Sequence, residues 1–141
     1  MRRPWHLWLM GIVGLIWNGI QAADYTMAKL ELPVYTAQMS PEQLAFFQGF
    51  PLWASATWAI AVWGALLGSF LLLARERAAA LVFAVSLLAM LATGVHTLIL
   101  AEPNMLDMAG TGPAMLSGLI ILVGIGFWIY ARAMRQRGVL E

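Results

Sequence analysis

The sequence predicts an all-α membrane protein: a four-transmembrane-helix bundle with a short interfacial helix on its outer side. Three observations carry this expectation. Of 141 residues, 62% are hydrophobic and only 11% are charged, whereas a soluble domain carries roughly 25% charged residues. Four stretches of about spanning length, residues 5–23, 51–73, 78–100 and 113–131, contain no Asp, Glu, Lys or Arg. The charges between them are sorted by sign from one connection to the next. The chain has no Cys, which excludes a disulfide framework, a thiolate metal site and cysteine lipidation. At this length, residues 1–141 form one membrane domain.

The first span opens after Arg2 and Arg3 and is rich in Trp and Leu. Its basic start, apolar core and Gln21-Ala22-Ala23 also resemble a cleavable signal peptide. Full spanning length, bulky Trp5, Trp8 and Trp17, and Gln21 three residues before a cut after Ala23 argue for a retained helix instead. Between spans one and two, Ser40-Pro41-Glu42-Gln43 reads as a capping box with Pro at the first helical position. Met39 and Leu44 occupy the staple positions. A helix over 41–48 follows, and Leu44, Phe46, Phe47 and Phe50 suit it to a membrane interface.

Spans two and three are joined by Ala74-Arg75-Glu76-Arg77, a connection that can do little more than reverse the chain. Its arginines are expected to act as lipid-phosphate and topology anchors. The connection after span three is acidic and punctuated by Gly and Pro, so it is expected to be irregular. Seven of the eight basic residues flank one set of span ends, and Lys29 alone lies with Asp24, Glu31, Glu42, Glu102 and Asp107 on the other. The positive-inside bias then places the N- and C-termini in the cytoplasm. The remaining aromatics near span ends, Trp53, Trp128 and Tyr130 among them, fit an interfacial belt.

Polar residues within spans are the first functional candidates, because hydrocarbon penalises them unless they find partners. Antiparallel packing brings Asn18, Gln21, Asp24, Tyr25, Thr57, His96 and Glu102 to the outer level. One expectation is a ligand-binding cluster for a small molecule or ion, with His96 titrating near neutral pH. The other is that Asn18 and His96 glue helices together through hydrogen bonds worth about 1 kcal/mol each. Small residues mark helix packing: Gly64 and Gly68 form a GxxxG extended by Thr57 and Ala61, and the fourth span carries Gly118, Gly124 and Gly126.

Other chemistry finds little support in the sequence. No Pro interrupts a span interior and no ionisable series crosses the membrane, which argues against a monomeric pump. His6 and His96 belong at opposite ends, so no haem pairing is expected, and no metal or other cofactor is assigned. No nucleophile motif, phosphate loop or zinc-protease helix is present, so no catalytic residue and no enzyme activity are expected. The sparse basic residues at the lipid boundary give no reason to invoke nucleic acid.

The run Trp5-His-Leu-Trp-Leu, then Leu15-Ile-Trp-Asn18, Asp24-Tyr25-Thr26-Met27, Pro41-Glu-Gln-Leu-Ala45, Phe50-Pro51 and Trp58-Ala-Ile-Ala-Val-Trp63-Gly64 resembles a family of small four-helix bacterial inner-membrane proteins. Many members carry the label "sugar transporter". The resemblance covers nearly the whole chain and is most specific over residues 5–73. It implies the fold and a bacterial inner membrane, and it brings no catalytic or binding residue. Two roles are therefore expected. One is a small-solute binding or transport-related protein, alone or as a homo-oligomer. The other is an accessory or scaffold subunit of a larger membrane complex that packs through its glycine ridges.

Overall fold

Long apolar runs with no interior proline have one economical way to satisfy their backbone in hydrocarbon, the α-helix. The computed structural model describes residues 4–30, 33–101, 107 and 110–141, and it is all-helical. The elements are α1 (Trp5–Leu30), α2 (Pro33–Thr36), α3 (Pro41–Gln48), α4 (Leu52–Leu73), α5 (Ala78–Val95) and α6 (Thr111–Gln136). A π-helical turn, His96–Leu100, continues α5 without a break. The segments Leu52–Leu73, Ala78–Leu100 and Thr111–Gln136 are long and apolar enough to cross a membrane. At 26 residues α1 is also long enough, about 39 Å. It is less apolar than these three, since it carries Asn18, Gln21, Asp24 and Lys29.

Two helices extend past the expected span limits. α1 continues beyond residue 23 to Leu30 because Ala28, Lys29 and Leu30 are good helix formers, and the first proline comes only at Pro33. α6 likewise starts at Thr111 and runs on through Arg132 and Arg135 to Gln136, two residues before Gly138 at φ +76°. Hydropathy marks where the apolar stretch ends, while helix propensity decides where the helix ends. α3 opens on a complete capping box. Ser40 Oγ accepts from Gln43 N–H at 3.2 Å, and Gln43 Oε1 accepts from Ser40 N–H at 3.1 Å.

The long helices pack antiparallel in the order α1, α4, α5, α6, and α1 and α6 touch only sparsely. Close approach of α1 to α4 depends on a stripe of buried residues, Leu7, Gly11, Gly14, Asn18 and Ala22. A methyl group on Gly14 would lie 2.5 Å from Ser69 Oγ, and one on Gly11 would strike Leu73. The α4–α5 seam uses Gly64 against Ser86 and Gly68 against Phe83, while Gly124 of α6 receives Met90. Gly118 has open space where its side chain would be. It is therefore not at a helix–helix contact, contrary to the packing role expected for it.

The main apolar core lies toward the end where α4 turns into α5, with Leu7, Leu72, Phe83, Phe127 and Met134 buried together. Phe83 stacks on Phe127 with centroids 5.5 Å apart. Val139 and Leu140 fold back into this core, and Arg75 fastens the tail. Arg75 Nε donates to the Val139 carbonyl at 3.1 Å, and its guanidinium pairs with Glu141 at 3.1 Å. Arg75, which the sequence marks as a lipid and topology anchor, adopts φ +60° and also bonds Val139 and Glu141. Around the outside, Ile12, Ile16, Ile20, Leu67, Phe70, Leu81, Leu88, Leu122 and Ile129 are exposed. So wide an apolar belt suits lipid and not water.

Candidate functional site: an acceptor-lined cavity under an aromatic roof

Because α1 and α6 part from one another, the α3 end of the bundle is not filled. A cavity of about 260 Å³ remains there, lined from all four long helices and from α3. Its walls are mostly apolar, with Met90, Ile120 and Ile121 below and to the side. Its roof is aromatic. Phe47 stacks on Trp58 with centroids 5.6 Å apart, and Phe50 lies 5.5 Å from Trp58, so α3 is fastened across the opening by rings. Tyr25 meets the Trp58 edge at 4.8 Å.

The polar lining is mostly acceptor in character. Thr93 Oγ1 lies 2.9 Å from the Ala89 carbonyl and 2.9 Å from Thr57 Oγ1, and Thr57 donates to the Ala54 carbonyl at 3.0 Å. Thr97 donates to the Gly94 carbonyl at 3.3 Å, and Gln21 Nε2 reaches the Trp17 carbonyl at 3.5 Å. Each hydroxyl has one proton, and these protons are committed to other protein oxygens. What Thr93 and Thr97 offer the cavity is therefore oxygen lone pairs, while Gln21 keeps its carbonyl oxygen and a second amide proton. Asp24 adds a carboxylate and is, among the described residues, the only titratable side chain in the lining. Partial burial raises its pKa above the ordinary value of 3.8. Among the described residues no lysine or arginine lines the space.

A cation already rests on the far side of this aromatic group. Lys29 Nζ lies 5.5 Å from the Phe50 centroid and 5.9 Å from that of Trp58, and it donates to Ser55 Oγ. Burial lowers its pKa from the usual 10.5. Ring faces attract cations through their quadrupole.

The sequence-expected cluster is thus divided. Gln21 and Asp24 line the cavity, Thr57 supports Thr93 from behind, and Tyr25 braces Trp58. Asn18 is turned elsewhere: it is buried and donates to Ser69 Oγ at 3.1 Å and to the Ala65 carbonyl at 3.4 Å. It joins α1 to α4, and it makes no bond to His96. His96 lies beside the cavity wall, its ring edge-on to Phe50 at 4.8 Å and Trp53 at 5.4 Å. Its buried Nδ1 has no hydrogen-bond partner among the described residues. Glu102 lies outside the described residues.

The sequence marks Thr93 and Thr97 as polar residues near the outer end of span three, and a helix over 41–48 that covers the top of the bundle. It gives no sign that Thr93, Thr97 and Met90 line a cavity or that Phe47 and Phe50 close it around Trp58. Nor does it mark the π-turn at His96–Leu100, where Ala101 N–H bonds the His96 carbonyl at 2.8 Å. Such turns occur often at functional sites, and nothing in HTLIL announces one. Among the described residues no group of three or more His, Asp or Glu side chains could hold a metal ion. Comparison with known protein families, with curated proteins and with solved structures finds no match, so the site's own chemistry has to carry its interpretation.

Proposed function

We propose that this is a multi-pass bacterial inner-membrane protein whose four long helices all span the bilayer, with both termini on the cytoplasmic side. On this reading the α3-end cavity faces outward and binds a small amphiphilic solute bearing an amine. The membrane assignment is supported by the three apolar helices and the exposed belt, to which α1 contributes Leu9, Ile12, Val13, Ile16 and Ile20. The orientation is supported by the clustering of arginines at the opposite end. The resemblance of residues 5–73 to small bacterial membrane proteins favours the inner membrane.

The observation that carries the ligand class is the Asp24 carboxylate beside the acceptor oxygens of Thr93 and Thr97. A solute that donates hydrogen bonds and bears positive charge would satisfy Asp24, Thr93 and Thr97 at once. An anion would face Asp24 with no cation to compensate. The aromatic roof accommodates the apolar body and attracts an ammonium through ring faces. Binding or carriage of such a solute is the proposed role, since among the described residues this cavity's lining shows no acid or base hydrogen-bonded to a nucleophile.

A matched series tests this. Phenethylamine, 2-phenylethanol and phenylacetate share one apolar body and differ in charge. In nanodiscs the amine is expected to raise the melting temperature most and phenylacetate least, and Asp24→Asn is expected to remove the amine's advantage. Equal shifts from amine and acid would overturn the proposal. The accessory-subunit alternative has less support, because Gly64, Gly68 and Gly124 already receive side chains of this chain.

A further inference from the structure

The parting of α1 from α6 also leaves a groove of about 700 Å³ at the opposite, arginine-bearing end, independent of the cavity under α3. Its floor and sides are apolar, with Met10 and Val13 from α1 and Val123 and Phe127 from α6. Polar groups appear only at its mouth. The His6 ring and the Tyr130 hydroxyl are hydrogen-bonded there, and Arg137 lines the groove beside them.

We propose that this groove is a binding site for one anionic phospholipid of the leaflet on the arginine side. One acyl chain lies between α1 and α6, and the headgroup phosphate is held by Arg137 with one hydrogen bond from the His6–Tyr130 pair, whose other proton is spent on the bond between them. An empty apolar groove forfeits dispersion contacts along both walls, and a flexible chain restores them. The polarity gradient along the groove, apolar in its depth and cationic at its mouth, is that of a phospholipid entering from its headgroup. Basic pockets between transmembrane helices are recurrent sites for acidic headgroups. A second copy of this chain is the poorer occupant. Arg132, Arg135 and Arg137 crowd the same end of α6, so a parallel neighbour would set like charges against one another.

Gly126 provides a direct test. It lines the groove, and nothing lies within 4 Å of where its side chain would begin. Gly126→Leu therefore starts into the groove with no contact at its Cβ and places its apolar branch in the space the acyl chain would take. The full chain is reconstituted in phosphatidylcholine nanodiscs doped with phosphatidylglycerol, released into mild detergent, and its retained lipid is weighed by native mass spectrometry. Wild type is expected to retain one phosphatidylglycerol in preference to phosphatidylcholine.

Gly126→Leu is expected to lose both lipids. Arg137→Gln, at an exposed position, is expected to lose the preference for phosphatidylglycerol by about tenfold, as for one charge-assisted bond, while retaining lipid. Excess inorganic phosphate should displace nothing. Equal retention of the two lipids by wild type, or unchanged retention by Gly126→Leu, overturns the proposal. Displacement of lipid by phosphate would reassign the mouth to a free anion, and a dimer in place of bound lipid would reassign the groove to a second copy.

Discussion

Gly14→Ala adds one methyl group at a tight point of the α1–α4 seam, 2.5 Å from Ser69 Oγ and 3.0 Å from Phe127 Cε1. Neither neighbour has room to retreat. Ser69 is fully buried and bonded to the Ala65 carbonyl at 3.0 Å, and Phe127 is stacked on Phe83. Overpacking of this kind costs about 1–3 kcal/mol. Moving Ser69 also weakens the bond from Asn18, worth about 0.6 kcal/mol in a membrane protein. Alanine's higher helix propensity returns up to about 1 kcal/mol. The net expectation is a loss of about 2 kcal/mol. Gly118→Ala is the control, since only the propensity term acts in its open surroundings, and stability should be unchanged or slightly raised. Titration with SDS in mixed micelles, followed by far-UV circular dichroism, measures both variants. If Gly14→Ala proves as stable as Gly118→Ala, the close α1–α4 packing is refuted.

Further outcomes follow from the same geometry. The chain has no Cys, so single cysteines report topology cleanly. Glu76→Cys and Arg135→Cys should react with an impermeant maleimide only from the cytoplasmic face, and Glu42→Cys only from the outer face. Arg75→Ala removes the side-chain bonds to Val139 and Glu141 and leaves the backbone bonds between residues 75, 77 and 141, which should loosen the buried tail and raise its rate of protease digestion several-fold. Burial raises the Asp24 pKa above 3.8, so the carboxylate needed for amine binding is lost as pH falls through that raised value. Phenethylamine affinity should fall over the same window in wild type and stay flat in Asp24→Asn, as calorimetric titration would read.

Much of the architecture was legible in local chemistry. The apolar runs mark helices, and Ser40 with Gln43 marks the start of α3, because both signals act over a turn or two. The cavity was only half legible. Gln21 and Asp24 stand out as polar groups near a span end, but whether a polar residue faces a cavity or a neighbouring helix depends on packing. Asn18 shows the limit. Three residues from Gln21, it is captured by Ser69, a partner 51 residues away. Gly118 and Gly64 are alike as sequence signals, yet one is open and the other lies against Ser86, because interfaces are set by helix rotation. The open seam between α1 and α6 has no local signature at all.

The central claim is that a small amine occupies the cavity under α3, and photolabelling tests it most directly. 4-Azidobenzylamine is bound to the protein in nanodiscs, activated by light, and its adducts are located by peptide mass spectrometry. The account predicts adducts concentrated on cavity residues such as Trp58, Met90 and Ile120, suppressed by excess phenethylamine and by Gly94→Leu, which intrudes on the cavity. Adducts spread over lipid-facing residues such as Leu67 and Leu122, with no suppression by either, would contradict it.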